Sequence, residues 1–442
     1  MMKETAIRRN GNFIKFISAN ALANLGNWFD YVGVLILFRY SWNADPILIA
    51  LIPIMYAIPS IVLGQFAGVF ADQRNKRKIL IYSDWARALL TLFLAFSPSL
   101  FIALPILLLR STVGVISLPA QQGLISKIVE DKDIMKAVTI NGSISQLAKV
   151  IGPLIGGSFV SIFSPEFSII LNTISFVISG LILSRLQIKD QAKKGNSGVK
   201  EQYVFLSLWK EGWSIVFNSK ILLASIIFGI FSTLTIQMID VQMVTLFSVV
   251  FPNVPEVTGW AISAIGIGSL LIVLLLNHLE KIQKYGWFFG TGGLLIGIMT
   301  GGFGYLQEYN IILLAIILAF IGGIGNGITL TTINYLVQTE PPKEAIGRIS
   351  SIIDSILSIL FIAGPLLGGL MIKQLGVLKA FQTIGLGLTI IGLTGILLQK
   401  LIWNRNQPAT KDIIQYEQDK DVETLKEYVK DKQKKSKSAT PS

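Results

Sequence analysis

Apolar residues run along this chain in blocks of roughly twenty or more, separated by short polar links. A helix that crosses a bilayer core needs about 20 mostly apolar residues. Twelve such blocks fit, over about 13–38, 46–70, 79–97, 100–121, 135–161 and 167–186, then 221–249, 256–278, 286–305, 309–334, 349–372 and 377–402. The links alternate in character. Ser97 to Ser99, Phe163 to Pro165 and Phe251 to Pro255 carry no positive charge, whereas the opposite links carry Arg74, Lys76, Arg77 and Lys78, then Lys127, Lys132 and Lys136. The central link adds Arg185, Lys189, Lys193, Lys194 and Lys200, and a later one Lys343 and Arg348. Short cytoplasmic loops are enriched in Lys and Arg, so both termini are expected in the cytoplasm. Lys373 and Lys379 fall on the other side and are the exceptions.

The blocks repeat. Gly152-Pro153-Leu154-Ile155-Gly156-Gly157 recurs as Gly364-Pro365-Leu366-Leu367-Gly368-Gly369, an offset of 212 residues (364 − 152). Moving each first-half block by that offset lands it on a second-half block. The links Leu124-Ile125-Ser126-Lys127 and Leu336-Val337-Gln338-Thr339 correspond as well. Two parallel six-helix halves related by an axis along the membrane normal are an architecture of secondary transporters. The expected organisation is a cytoplasmic N-terminus over 1–12, a six-helix half over 13–188, a linker over 189–220, a second half over 221–403 and a charged cytoplasmic tail over 404–442. Within the linker, apolar positions of Tyr203 to Phe217 recur at helical spacing, which predicts a helix lying along the inner leaflet. The tail is rich in Lys, Asp, Glu and Gln and is expected to be disordered.

Composition sharpens this picture. Of 442 residues, 52% are hydrophobic and 14% charged, with a mean hydropathy of +0.62; a soluble domain carries about 25% charged residues. The net charge of +12 sits in the links and the tail, which argues against nucleic acid as a partner. There is no cysteine and one histidine, His278, so thiol chemistry, thiolate metal sites and a histidine metal cluster are excluded. The Gly-rich phosphate loop ending in Gly-Lys-Ser/Thr is absent. No enzyme activity, cofactor or metal is expected.

Charge inside the blocks points to function, because a charged side chain at mid-bilayer costs a few kcal/mol or more. Asp30 lies about two-thirds along the first block and Asp240 at a similar depth in the seventh, while Arg110 lies mid-way along the fourth. Protonation of Asp30 would free Arg110, a switch able to couple proton entry to rocking of the halves; a static ion pair is the plainer alternative. Asp84 and Arg87, three apart on one helix face, read as a structural pair. Asn20, Asn24, Asn27 and Trp28, then Gln146, and Gln237 and Gln242 are polar or aromatic at membrane depth. Lipid excludes such a face, so it lines a cavity or a packed interface.

Several motifs resemble a known family. Gly68-Val-Phe-Ala-Asp72-Gln-Arg74-Asn-Lys76-Arg77-Lys78 resembles the signature loop between spans 2 and 3 of the major facilitator superfamily. Arg110-Ser-Thr-Val-Gly114 and the Gly152–Gly157 run resemble two further signatures, the latter associated with antiporters. Leu25 to Tyr31, Asp84 to Arg87 and Leu118-Pro119-Ala120 resemble the drug:proton antiporter branch that includes macrolide efflux proteins. The chain departs from the pattern at Gln73 and Asn75, where the family carries Arg and Gly. It departs again at Ala148, where the antiporter run has a leading glycine, with charged Lys149 beside it. The second-half loop copy, around Asn277 to Lys284, is nearly erased.

The resemblance implies an all-α membrane protein of twelve helices in two pseudo-symmetric halves, monomeric, in the plasma (inner) membrane of a bacterium. It implies a conformational latch in which Gly68 permits close helix approach, Asp72 faces a helix N-terminus, and Lys76, Arg77 and Lys78 meet carboxylates such as Asp354. It implies kinks at Gly152, Pro153, Gly156 and Gly157 and at Gly364, Pro365, Gly368 and Gly369 that shape the seam between halves. The expected activity is proton-coupled export of hydrophobic or amphipathic small molecules, macrolide-like drugs among them. Export of a native metabolite such as a siderophore, movement of a lysolipid, and a non-transporting sensor are the alternatives.

Overall fold

The computed structural model describes residues 10–187, 213–276, 278, 282, 284–342 and 345–403, apart from the side chains of residues 65, 69, 72 and 131. Twelve long helices occupy these residues, and no strand occurs among them. The first half comprises α1 (Gly11–Ile36), α2 (Pro46–Gln73), α3 (Lys76–Ala95), α4 (Leu100–Ile128), α5 (Ile134–Ile162) and α6 (Pro165–Ser184). The second comprises α7 (Lys220–Ile239), α8 (Val257–Leu276), α9 (Tyr285–Phe303), α10 (Ile312–Thr339), α11 (Ile346–Leu375) and α12 (Val377–Leu397). Ten of the twelve are long and apolar enough to cross a membrane. The other two are α3, with Lys76, Arg77, Lys78, Asp84 and Arg87, and α5, with Lys136, Asn141, Gln146 and Lys149. They run for 20 and 29 residues; Asp84, Arg87 and Asn141 meet neighbouring helices, and Gln146 and Lys149 face a cavity. The predicted leaflet helix is described only from Trp213 to Asn218, which is helical; its remainder, the N-terminal residues 1–9 and the tail lie outside the described residues.

Local sequence explains the helix ends. Asn10 caps α1, its side chain accepting from the Asn12 and Phe13 amides. Asp45 and Ser164 cap α2 and α6, each followed by a proline at the first helical position, where a missing N–H costs nothing. Asn75, the departure from the family's glycine, accepts from the Lys78 amide at 3.1 Å and caps α3. The 212-residue offset reappears in the helix starts: Leu100, Ile134 and Pro165 map onto Ile312, Ile346 and Val377, where α10, α11 and α12 begin.

Within the first half α1 packs on α5 and α6, and α4 on α2 and α3; the second half repeats this with α7 on α11, and α10 on α8 and α9. The halves meet through two crosswise pairs, α2 with α11 and α5 with α8. The apolar core is organised differently at the two ends. Toward the end remote from the termini, one cluster draws on both halves, with Val34, Leu35, Phe38 and Ile49 joining Val244, Phe247, Ala261 and Phe303. Toward the end that carries the termini there are two separate clusters. One holds Phe13, Phe16, Leu80 and Leu124 of the first half, and the other holds Leu222, Phe289, Leu336 and Ile349 of the second. The molecule is therefore sealed at the far end and parted at the terminal end.

Candidate functional site

Four helices of the first half converge on a buried ion pair. Arg110 of α4 donates from Nη2 to Asp30 Oδ2 of α1 at 2.5 Å and to the Tyr56 hydroxyl of α2 at 2.5 Å. Its Nη1 reaches Thr91 Oγ1 of α3 at 3.3 Å. Asp30 is 0% exposed and Arg110 3%, so the pair is shielded from competing water. The second carboxylate oxygen, Asp30 Oδ1, is buried and has no hydrogen-bond partner among the described residues. It can accept a proton without first displacing a neighbour. A buried pair holds firmly only while both charges remain; removing one partner costs about 3–5 kcal/mol because the other is left uncompensated.

Asp84 and Arg87 do not form the ion pair expected of them. Asp84 accepts from Ser179 Oγ of α6 at 2.5 Å. Arg87 turns the other way, donating to Asn27 Oδ1 of α1 at 2.9 Å, with its cation 4.1 Å from the centre of the Phe176 ring. Helix spacing puts them on one face, but nearer partners on α6 and α1 take each of them.

Between the halves lies a cavity of about 410 Å³, within the size range of small-molecule sites. Its first-half wall carries Asn27, Trp28, Tyr31, Tyr56, Arg110, Gln146 and Lys149. Its second-half wall carries Gln237, Asp240, Ser269 and Asn326 among apolar residues such as Ile236, Ile262, Ile265, Met299 and Phe361. Asp240 stands where α7 breaks: residues 240–242 form a turn, and a second helical segment, Met243–Val250, completes the span. That break puts the carboxylate within reach of α1, and the Tyr31 hydroxyl donates to Asp240 Oδ2 at 3.1 Å. This hydrogen bond crosses from one half to the other. Trp28 holds Tyr31 edge-on at 5.6 Å between ring centres.

The structure divides the predicted site residues. Asn27, Trp28, Gln146, Gln237, Asp240 and Arg110 line the cavity, and Asp30 sits behind Arg110. Asn20, Asn24 and Gln242 are engaged elsewhere. Asn20 donates to Asn141 of α5 at 2.5 Å and accepts from Asn24 at 3.0 Å, joining α1 to α5. Gln242, which the 212 offset pairs with Asp30, donates to the Pro46 carbonyl at 2.8 Å and accepts from Thr245 at 2.9 Å. It ties the halves together at the sealed end. Tyr31, Tyr56 and Lys149 line the cavity although the sequence does not single them out. Tyrosine is common at membrane interfaces, so its presence in an apolar block carries no signal. Lys149 stands out only as a departure from the antiporter run.

Both Gly-Pro runs lie inside unbroken helices, with Pro153 in α5 and Pro365 in α11. Their glycines pack in matching ways. A side chain at Gly152 or Gly156 would strike Trp28 or the Phe29 backbone of α1, and one at Gly157 would strike Gly259 of α8. In the second half, Gly364 and Gly368 face Gln237 and Met238 of α7, and Gly369 faces Pro46 and Ile47 of α2. Each run therefore presses against the first helix of its own half and the second helix of the other.

The loop-signature residues lie at the parted end. A side chain built on Gly68 would meet nothing within 4 Å, and the Asp72 side chain lies outside the described residues. Lys76 Nζ approaches the Ala71 carbonyl at 3.5 Å, and Arg77 donates to the carbonyls of Leu183 and Ser184. Asp354 is exposed, and among the described residues no ion pair joins it to Arg77 or Lys78. His278 is exposed, with Nδ1 3.1 Å from the Leu274 carbonyl.

Comparison with known proteins agrees with this geometry. A family model described as Major Facilitator Superfamily matches residues 16–360 and 253–436. An uncharacterized MFS-type transporter, YfiS, of Bacillus subtilis is 28% identical over 93% of this chain and 98% of its own length. The staphyloferrin A transporter of Staphylococcus aureus is 23% identical over 84% of this chain and 92% of its own. The multidrug efflux pump Tap of Mycobacterium tuberculosis is 26% identical over 59% of this chain and 62% of its own. Among solved structures, the nucleoside transporter NupG superposes with a TM-score of 0.66 at 14% identity, covering 90% of this chain and 100% of its own.

Proposed function

The chain belongs to the Major Facilitator Superfamily, and from that premise we propose that it exports hydrophobic or amphipathic small molecules by proton-coupled alternating access. The observation that carries the proposal is the placement of Arg110, held from behind by Asp30, on the wall of a cavity that is sealed at one end and parted at the other. The parted end, which bears the termini and the basic links, is assigned to the cytoplasm of a bacterial plasma membrane. Substrate enters the cavity from there. A proton arriving from outside settles on Asp30 Oδ1, weakens the attraction to Arg110, and lets α4 move relative to α1. Asp240 is a second proton acceptor, and its hydrogen bond from Tyr31 reports across the seam whether it is charged. Asp72 and the basic residues after it latch the cytoplasmic end when the halves close over it, and the Gly-Pro runs of α5 and α11 form the surfaces that slide. The chain does this as a monomer.

Efflux as the direction is supported by the similarity to the pump Tap. The similarity to the staphyloferrin A transporter favours a second reading, in which the cargo is a metabolite such as a siderophore. Accumulation of ethidium in vesicles bearing the chain, with and without a proton gradient, tests the transport mode. Gradient-dependent movement lost in Asp30→Asn is the expected result. Gradient-independent movement would remove the proton from the scheme, and no movement of ethidium would favour the metabolite reading.

A further inference from the structure

One charged residue on the cavity wall takes no part in the mechanism above. Lys149 lies near the middle of α5, one turn before Pro153. A lysine at that depth is costly unless it is paired or faces a wet cavity. It is uncovered, lines the cavity, and makes no hydrogen bond or ion pair among the described residues. Arg110, the other cation on this wall, is already held by Asp30, Tyr56 and Thr91. Lys149 therefore projects an uncommitted ammonium into the cavity.

Its surroundings are sorted by polarity. Gln146 lies one turn away on the same helix, so an amide and an ammonium share one face of α5. Beside it, α8, which packs on α5, offers Ile262 and Ile265 to the cavity, and α9 offers Met299. Asp240 also lines the cavity, yet among the described residues no ion pair joins it to Lys149, and its close partner is Tyr31. A ligand with an anionic group and an apolar body would satisfy both sides at once. Its anionic group would replace the water around Lys149, and its body would cover the aliphatic wall.

We propose that Lys149 and Gln146 form an anion-binding subsite in the cavity, and that the transported molecules include amphipathic acids carrying a carboxylate or phosphate. The inference rests on the cavity being the transport site. It extends the cargo to anionic amphiphiles, which this wall holds at a point of its own. The acid could be a soluble metabolite or an anionic lysolipid, both of which offer the same pairing of negative group and apolar tail.

The test is equilibrium binding of radiolabelled octanoate to the immobilised full-length protein, with no gradient present. Wild type is expected to bind octanoate saturably, and octyltrimethylammonium, of matched tail and opposite charge, should not displace it. Lys149→Gln should weaken binding at least tenfold, whereas Lys149→Arg, which keeps the charge, should stay within about threefold. Displacement by lysophosphatidylglycerol at concentrations below those of octanoate would identify a lipid source, and its failure to displace a soluble one; either supports the subsite. Equal octanoate affinity in wild type and Lys149→Gln, or equal displacement by octyltrimethylammonium, would overturn it. Because Lys149 lines open space, its loss leaves helix packing intact. Failure here would leave gradient-driven export by the Asp30–Arg110 pair untouched, since that is read in a separate assay.

Discussion

The two halves share a helix plan but are held together by different chemistry. The interior of the first half is polar: Asp30, Tyr56, Thr91 and Arg110 form one hydrogen-bonded group, and Asn27, Arg87 and Phe176 a second beside it. The corresponding interior of the second half is apolar and packed backbone to backbone. Gly290 lies against Gly392, and Gly385 against Gly297 and Gly301, where α9 and α12 approach too closely for any side chain. Close glycine contacts hold membrane helices by van der Waals packing and leave no group to titrate. In the proposed scheme the first half carries the buried ion pair of the switch, Asp240 adds a carboxylate at the seam, and the glycine-packed helices of the second half provide a stiff surface to move against.

Breaking either half tests that division. The largest effect is expected from Arg110→Ala, which strands Asp30 in a dry interior. Thermal unfolding in detergent should reveal a loss of about 3–5 kcal/mol together with loss of transport. Gly385→Leu should come next, since overpacking a tight contact costs about 1–3 kcal/mol or more. The neighbouring Gly387→Leu, with open space around it, should unfold at the wild-type temperature and serves as its control. Tyr31→Phe removes one cross-half hydrogen bond of about 0.5–1.5 kcal/mol. It is expected to slow transport severalfold while leaving stability nearly unchanged. Asp72→Ala should have the smallest effect, a bias of about 1 kcal/mol or less toward the cytoplasm-open state. Faster labelling of a cysteine placed at Gly142, at the parted end, would report it. The absence of native cysteine makes that labelling clean.

Much of the fold is legible in the sequence because a bilayer imposes a length on every helix and an offset of 212 carries one half onto the other. The starts of α10, α11 and α12 obey that offset to the residue. Hydropathy does not reveal the break in α7, since Asp240, Val241 and Gln242 interrupt an apolar block only briefly, and the block reads as one helix. The site is legible where charge marks it: Asp30, Arg110 and Asp240 stand out because lipid tolerates no unexplained ion. Amides are harder. Asn20 and Asn27 fall on the same helical face, so spacing does not separate them, yet Asn20 joins two helices while Asn27 faces the cavity. Lys149 carries the clearest signal that the motif obscures, a lysine inside an apolar block. It reads only as a flaw in a signature because its helix is otherwise recognised by its glycines.

The central claim is that proton coupling resides in the Asp30–Arg110 pair of the first half. Asp30→Asn in proteoliposomes tests it most directly, with gradient-driven transport and gradient-free counterflow measured on the same preparation. The driven mode should be lost while counterflow persists, because the halves still rock but no longer respond to protons. Gradient-driven transport at the wild-type rate would contradict the claim.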